Sequence, residues 1–334
     1  MTSRVSVRLP ILAACVGLSF GASAADLTVY DALDFAPTVV KAFTAKTGIT
    51  VDVVEPGSTG EVLGKIAAEG DNPQFDIVWV DGSAVMERMM RDHILQAVPD
   101  DAISSVKYTE MGKALLPKSH SFVPTGASTT AIEVNTKKVP ADQTPKSWAD
   151  LAKFAGKVAA KDPNLSGPAY QWLAGYFQTN GVDTGKALLE KVLTNKALVG
   201  LSSGGKVNKA ILTGDAVVGI NQDSGIIAKA KAGEPVVAVY PTDGSVALPI
   251  GLGISAKTKH MDAVKKFIAF VTSAEGQAAM QAGDDTDFFF MPIVEGVKPK
   301  VERPADIKFL ILDDAKAAMN EADWKQWYKA KFVP

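Results

Sequence analysis

The fold class follows from residues 27–80, LTVYDALDFAPTVVKAFTAKTGITVDVVEPGSTGEVLGKIAAEGDNPQFDIVWV. Three short runs in it are apolar and rich in β-branched residues, and two intervening segments carry apolar residues at helical spacing. In chain order these elements are residues 27–30, 37–46, 49–54, 58–69 and 75–80. Each helical segment is followed by a glycine, Gly48 or Gly70, where helices commonly end. The alternation of strand and helix predicts a parallel sheet in an α/β fold.

After residue 120 a second α/β series begins. Its predicted elements are strands at 121–123 and 129–134 joined through Pro124-Thr125-Gly126, a helix from about Ser166, strands at 197–201, 216–220, 236–240 and 246–255, and helices at 262–272, at 274–281 and around Trp324, Trp327 and Tyr328. No linker or repeat separates the two series, so segments 124–130 and 247–253 are predicted to cross between two domains. The first domain is then discontinuous, residues 26–125 with 254–334, and the second is 126–253. A ligand cleft is expected between them.

The composition is that of an ordinary globular protein. The chain has 334 residues, of which 47% are apolar and 22% are charged, and this balance excludes disorder over most of its length. Lysine and arginine total 35 against 37 aspartate and glutamate residues. Because there is no basic excess to neutralise phosphates, a nucleic acid is excluded as the expected partner.

Residues 1–25 have the pattern of a cleaved secretory signal. Arg4 and Arg8 precede an apolar run over 9–20, and small residues follow at 22–24. The alternative is a lipobox ending in Cys15, which would leave a lipidated cysteine at the new N-terminus. Removing residues 1–25 leaves 33 basic and 37 acidic residues, a net charge of −4, and no cysteine. The mature protein is expected beyond a bacterial-type membrane, without a disulfide.

Catalytic arrangements find little support in the sequence. His93, His120 and His260 have no second histidine at metal-ligand spacing, and no nucleophile elbow occurs. The segment around Gly64-Lys65 resembles a phosphate-binding P-loop, but it lacks the first glycine and the final serine or threonine. We therefore predict a binding protein without a cofactor or a bound metal. A secreted hydrolase that uses one serine as its nucleophile is the alternative from another class.

Four small-polar turns lie at strand ends or at a proposed crossing. They are Gly57-Ser58-Thr59-Gly60, Asp81-Gly82-Ser83, Gly126-Ala127-Ser128-Thr129-Thr130 and Asn164-Leu165-Ser166-Gly167. Hydroxyl groups and the free N–H groups of a helix's first turn suit an anion, and such edges face a cleft. An ordinary helix cap is the alternative for each turn. The predicted ligand contacts from these turns are Ser58, Thr59, Gly60, Asp81, Ser83, Ser128, Thr129, Ser166 and Gly167.

Further motifs run through the whole mature chain. They are Leu27-Thr28-Val29-Tyr30, Phe43-Thr44 with Thr47-Gly48-Ile49, Ala68-Glu69 with Pro73, Phe75-Asp76-Ile77-Val78-Trp79, Asp162-Pro163 and Gly214-Asp215. With these motifs the chain resembles the periplasmic solute-binding proteins of ABC importers, in the branch that includes ferric-ion, phosphonate and sugar-phosphate binders. The resemblance implies the two-lobed type II periplasmic binding protein fold. It also implies a monomer in the periplasm, a small anionic ligand, an inner-membrane permease as partner and no catalysis.

Differences from the ferric-ion binders of this branch decide the ligand class that the resemblance implies. Ferric binders of this branch carry two adjacent tyrosines where this chain has Asn221-Gln222-Asp223-Ser224, and Asp31 and Asp34 stand where a histidine is common. Acids there suit an ammonium or hydroxyl groups, while the serine and threonine turns hold an oxyanion. The expected ligand is 2-aminoethylphosphonate, with a sugar phosphate as second choice and a ferric ion as a further alternative. Asp223 is a predicted ligand contact, and a helix cap is its alternative role.

One more departure concerns the turn before the aromatic helix. Pro168 stands where related binders often have threonine, and it removes one backbone donor. Ser166, Gly167 and Ala169 are then expected to supply the remaining donors to the anion.

Overall fold

The computed structural model describes residues 25–194 and 197–333. The predicted signal sequence with Cys15 lies outside these residues, apart from Ala25. Within the described part, the strands are β1 Leu27–Asp31, β2 Val51–Val54, β3 Ile77–Asp81, β4 Leu95–Gln96, β5 Val123–Asn135, β6 Val158–Lys161, β7 Leu198–Leu201, β8 Val218–Gln222, β9 Val236–Val239, β10 Ser245–Ser255 and β11 Phe309–Leu310.

The α-helices of the same residues are α1 Ala36–Thr47, α2 Thr59–Glu69, α3 Ser83–Arg91, α4 Asp100–Ile103, α5 Glu110–Ala114, α6 Gly167–Asn180, α7 Val182–Val192, α8 Gly204–Thr213, α9 Asp223–Lys231, α10 Met261–Val271, α11 Ala274–Met280 and α12 Asp314–Phe332. Short 3₁₀ helices lie at Ala141–Gln143, Trp148–Phe154 and Thr286–Phe289. No helix in the described part of the chain is long and apolar enough to cross a membrane.

The strands form two groups that meet at a pair of long strands. Their order is β2-β1-β3-β10-β5-β8-β6-β7. At one end β1 is parallel to β2 and β3, and at the other β6 is parallel to β7 and β8. We call β1–β4 with α1–α5, α10 and α11 the first lobe, and β6–β9 with α6–α9 the second lobe. The predicted α/β class is confirmed.

Strands β5 and β10 run from one lobe into the other. The first half of β5 pairs antiparallel with β10, and its second half pairs with β8 and β9. Strand β10 in turn pairs with β3. The prediction of two strands joined through Pro124-Thr125-Gly126 is wrong, because β5 is continuous over 13 residues. Pairing with the distant β10 keeps the segment extended, and the pairing register shifts between Ile250 and Gly251.

Local sequence signals explain the helix ends of the first lobe. Helix α1 has a proline in its first turn, and it stops at Gly48, whose φ of 74° is left-handed. The N–H group of Gly48 donates to the carbonyl of Thr44 at 2.9 Å. The predicted C-terminal glycine of α1 is therefore confirmed, since a residue without a β-carbon adopts this conformation at little cost.

Each lobe has its own aromatic core. In the first lobe the rings of Phe43 and Phe267 lie 5.1 Å apart, and in the second lobe Trp148 and Trp172 lie 5.3 Å apart. Trp324 and Tyr328 of α12 pack into the core of the second lobe.

Helix α12 also contacts the first lobe. Glu321 on α12 forms an ion pair with Arg88 on α3, with 3.3 Å between Oε1 and Nη1. The terminal helix therefore touches helices of both lobes. The domain boundaries expected from the sequence stay a prediction.

Candidate ligand-binding site

Three helices begin at one cleft. Helices α2, α6 and α8 are each preceded by a serine, and Ser58, Ser166 and Ser203 line the same cleft of about 180 Å³. The Ser166 hydroxyl accepts from the N–H of Ala169, and that of Ser203 from the N–H of Lys206, both at 3.3 Å. First-turn N–H groups have no partner within their helix, and the positive end of the helix dipole lies there. The three starts together suit an oxyanion.

The Glu61 carboxylate already occupies the donors of Ser58, where a ligand anion would bind. Its N–H and hydroxyl donate to the Glu61 carboxylate at 2.7 and 2.9 Å. These hydrogen bonds lower the pKa of Glu61. Thr59, the next residue, is buried and also lines the cleft. The start of α2 therefore already holds one carboxylate from its own first turn.

The ammonium group of Lys161 also lines the cleft. Lys161 ends strand β6 and is only 6% exposed, and its Nζ donates to Oε1 of Gln222 at 3.1 Å. Burial lowers the pKa of Lys161 to about 8, against the attraction of Asp81. Lys161 is not among the contacts predicted from the sequence. A lysine at the carboxyl end of an apolar strand, just before Asp162-Pro163, is the signal that could have found it.

Three aspartates share the cleft with Lys161. They are Asp34, Asp81 and Asp287, and the N–H of Asp34 donates to Oδ2 of Asp287 at 3.0 Å. Burial raises the pKa of Asp81 to about 6. Burial and the charge of Asp81 raise the pKa of Asp287 well above its usual range. The carboxylates disfavour each other's charge, so a cationic ligand group would relieve the repulsion.

A polar network joins the two lobes at this cleft. Nε2 of Gln222, in the second lobe, donates to Oδ2 of Asp81, in the first lobe, at 3.0 Å. The same nitrogen lies 3.4 Å from Oγ of Ser128 on the crossing strand β5. Because Gln222 also accepts from Lys161, a single amide connects the acidic and basic groups of the cleft.

The structure brings together about half of the residues that the sequence analysis proposed. Those that line the cleft are Asp34, Ser58, Thr59, Asp81, Ser166 and Gly167. The cleft also contains residues that the sequence analysis did not propose, including Lys161, Ser202, Ser203, Asn208, Gln222 and Asp287.

Two proposed residues are buried beside the cleft without lining it. Asp31 is fully buried, its Oδ2 accepts from the N–H of Leu33 at 3.1 Å, and burial raises its pKa well above the usual range. The hydroxyl of Thr129 donates to the carbonyl of Val246 at 2.9 Å. Both side chains therefore make contacts within the protein.

Three others lie in neighbouring spaces. Gly60 faces the backbone of Leu165 in the second lobe. Ala169 lines a small cavity next to the cleft, and the Ser83 hydroxyl donates to the carboxylate of Asp314. These positions depend on how the lobes pack, which the sequence alone does not reveal.

Asp223 is engaged in a buried ion pair. It is fully buried, and its Oδ2 accepts from the guanidinium of Arg303 and, at 3.1 Å, from the hydroxyl of Tyr240. Its Oδ1 accepts from the N–H of Thr129 at 3.1 Å. Helix α9 starts at Asp223, with Gln222 in the cap position. The carboxylate is thus satisfied within the protein, and Asp223 is not among the residues that line the cleft.

A metal centre finds no support in the described residues. Over 25–194 and 197–333, no group of three or more histidine, cysteine, aspartate or glutamate residues is arranged to hold a metal ion. The cleft offers donors that suit an oxyanion and acids that suit a cation.

The family model for bacterial extracellular solute-binding proteins matches residues 38–310, well over half of the chain. Among curated proteins no sequence matches significantly. Solved structures with the same fold include the periplasmic binding protein AfuA from Actinobacillus pleuropneumoniae with fructose-6-phosphate bound. It has a TM-score of 0.80 and 19% identity, and the alignment covers 92% of this chain and 98% of that one.

Two further structures bind other ligands. Iron-bound HitA from Pseudomonas aeruginosa has a TM-score of 0.77 and 20% identity, and the alignment covers 90% of this chain and 98% of HitA. A periplasmic thiamin binding protein has a TM-score of 0.75 and 20% identity, and the alignment covers 92% of this chain and 96% of that protein. At these identities the likeness extends to the two-lobed fold alone.

Proposed function

The chain belongs to the family of bacterial extracellular solute-binding proteins of ABC importers, and on this premise we propose that it captures 2-aminoethylphosphonate. It delivers this ligand to an inner-membrane permease as a monomer in the periplasm. The observation that carries the proposal is the mixed lining of one cleft. Three helix starts and Lys161 favour an oxyanion, and three aspartates in the same cleft favour an ammonium group.

The anion end is supported by the type of donor that the cleft contains. Ser166 and Ser203 stand at the starts of α6 and α8, where hydroxyl groups, backbone N–H groups and helix dipoles act together on a phosphonate. Ser58 at the start of α2 joins them once the phosphonate displaces the Glu61 carboxylate from its donors. Lys161 adds one formal positive charge, and its burial strengthens any contact with an anion. Hydrogen bonds to a charged group are roughly twice as strong as neutral ones.

The ammonium end is supported by the acids. Asp34, Asp81 and Asp287 outnumber the single lysine, and a ligand with only negative charge would further disfavour their ionised forms. An ammonium next to Asp81 and Asp287 would favour their ionised forms. A zwitterion satisfies both halves of the lining at once, whereas an inorganic phosphate ion satisfies only one.

The size of the cleft supports a small ligand. Its volume of about 180 Å³ is below the roughly 300–1,000 Å³ of pockets that hold drug-sized molecules. A sugar phosphate is the second candidate, because carboxylates also accept from hydroxyl groups, and the AfuA structure contains fructose-6-phosphate. A ferric ion and a hydrolase reaction are weaker alternatives. No adjacent tyrosines occur in the sequence, and none of the three histidines lines the cleft.

Calorimetric titration with matched ligands tests the proposal. The panel is 2-aminoethylphosphonate, ethylphosphonate, glucose 6-phosphate, fructose 6-phosphate and ferric citrate. We expect 2-aminoethylphosphonate to bind at least about tenfold more tightly than ethylphosphonate, because only the former can pair with the aspartates. Tighter binding of a hexose phosphate or of ferric citrate would overturn the assignment. Hydrolysis of a chromogenic phosphate ester would overturn the binding role.

A further inference from the structure

A second cavity, of about 590 Å³, lies between α3, the loop after α5, strand β10 and the segment before α12. It shares no lining residue with the candidate ligand cleft. Much of its wall is hydrocarbon, from Leu115, Leu116, Pro249, Ile311 and Leu312. Ile311 is 45% exposed. Leu116 is half-buried, so the cavity offers a small apolar surface, that of Ile311 and Leu116, which the protein itself does not cover.

A buried chain of hydrogen bonds ends at one carboxylate in this cavity. Nε2 of Gln171 donates to Oγ of Ser83 at 2.9 Å, and Oγ of Ser83 donates to Oδ1 of Asp314. Gln171 is 1% exposed and Ser83 is 2% exposed, so both lie in the interior. Burial, with a contribution from the charge of Glu87, raises the pKa of Asp314 to about 7. The carboxylate is thus oriented by α6 and α3 from both lobes.

Glu87 is a second carboxylate of the same cavity. Its Oε1 accepts from the hydroxyls of Ser119 and Ser121, the latter at 2.8 Å. In the described part of the chain, neither Glu87 nor Asp314 has a lysine, arginine or histidine nitrogen within ion-pair distance. Lys118 also lines the cavity, but it is exposed at the surface. Two partly buried acids therefore lack a counter-charge, which disfavours their ionised forms until a cation is present.

We propose that this cavity is a second ligand site, which binds a small organic ammonium ion. The ammonium pairs with Asp314 and Glu87, and the hydrocarbon part of the ligand packs on Leu115, Leu116 and Ile311. A hydrated metal ion would gain nothing from the apolar walls, and an anion would be repelled by the two acids. The volume lies within the roughly 300–1,000 Å³ typical of organic ligand pockets.

Titration of the full mature chain with 2-phenylethylammonium tests the proposal, because this probe has a primary ammonium on a short apolar body. We expect saturable binding in calorimetry or ligand-observed NMR. The neutral isostere 2-phenylethanol should bind at least about tenfold more weakly, since it lacks the charge-assisted hydrogen bond. Absence of saturable binding of the amine, or equal binding of the alcohol, would overturn the proposal.

Variants assign the binding to the cavity. Asp314→Asn should weaken amine binding about tenfold or more, whereas Asp52→Asn, on the exposed face of β2, should leave it unchanged. Loss in Asp81→Asn with no change in Asp314→Asn would place the amine in the cleft and refute a second site. Ile311→Ala gives an independent result if Asp314→Asn is poorly folded. At this exposed position we expect a loss of roughly threefold from reduced apolar contact, and no loss would count against the apolar half of the site.

Discussion

A β-carbon at Gly60, at the start of α2, would lie 2.6 Å from the carbonyl oxygen of Leu165 in the second lobe. Non-bonded carbon and oxygen atoms do not approach this closely, and the oxygen belongs to the backbone, so it cannot turn aside. Glycine at position 60 therefore permits the contact between α2 of the first lobe and the loop before α6. This contact closes one side of the candidate ligand cleft.

Gly60→Ala should hold the lobes apart. We expect affinity for 2-aminoethylphosphonate to fall about tenfold or more, because the donors of α2 and α6 no longer converge; tenfold is about 1.4 kcal/mol. Small-angle X-ray scattering of the ligand-saturated variant should give a larger radius of gyration than the wild type. Gly64→Ala on the same helix is the matched control, since nothing lies within 4 Å of its added carbon. Equal affinity in both variants would contradict the role of Gly60.

Variants at Asp81 and Lys161 should show which end of the ligand each residue contacts. Asp81→Asn is expected to weaken the binding of 2-aminoethylphosphonate by roughly 1.5–3 kcal/mol. It should weaken the binding of ethylphosphonate much less, because only the first ligand carries an ammonium group. Lys161→Met should weaken both by similar amounts. Calorimetry on folded variants measures these differences, with Asp52→Asn on the exposed face of β2 as a control. Parallel losses for both ligands in Asp81→Asn would remove the ammonium contact from this residue.

The pair Asp223–Arg303 should matter for stability rather than selectivity. Arg303→Met removes one partner of a buried ion pair and leaves the Asp223 carboxylate uncompensated, which typically costs about 3–5 kcal/mol. Urea unfolding measures the loss. Arg91→Met, which breaks an exposed pair with Asp92, should change stability by less than about 1 kcal/mol. In the double variant Asp223→Asn/Arg303→Met, the loss should be smaller than the sum of the single losses. Additive losses would show that the two side chains act independently.

Glu133 should make stability depend on pH. Burial raises its pKa to about 7, although Nδ2 of Asn221 donates to its carboxylate at 2.9 Å. As pH rises from about 4.5 to about 7, the unfolded chain loses this proton before the folded one, so stability falls. Well above pH 7 the full penalty applies, and Glu133→Gln should then be more stable than wild type by roughly 3 kcal/mol. At pH 4 the difference should vanish. Urea unfolding of wild type and Glu133→Gln at pH 4 and above pH 7 measures this difference in stability. Glu234→Gln, at an exposed position, should show no such pH dependence.

The α/β class and the helix starts could be predicted because they depend on local sequence. Apolar spacing and Gly48 define α1, and Ser58 and Ser166 mark helix starts that do reach the cleft. The sequence predicts two strands in place of β5, because Pro124 and Gly126 are turn residues locally. Only pairing with β10, far along the chain, keeps them extended.

The missed site residues depend on contacts between distant segments. Lys161 and Asp287 enter the cleft from different parts of the chain, and neither belongs to a small-polar turn. Asp223 follows a strand in the expected position, but Arg303, 80 residues later, occupies its carboxylate. A single sequence without its fold gives no means of pairing such residues.

The pairing of β5 with β10 has a consequence for the exchange of amide hydrogens with solvent. The two crossing strands hydrogen-bond to each other along the segment that joins the lobes, with Thr129 opposite Ala247 and Val123 opposite Leu252. Lobe rotation can twist this ribbon without breaking it, so its amides should exchange only through opening of most of the molecule, with or without ligand. First-turn amides that no serine caps, such as those of Thr59, Gly167 and Gly204, should become slow only when a ligand accepts from them. Deuterium uptake would therefore report cleft occupancy at the helix starts, against a constant internal reference in the crossing strands.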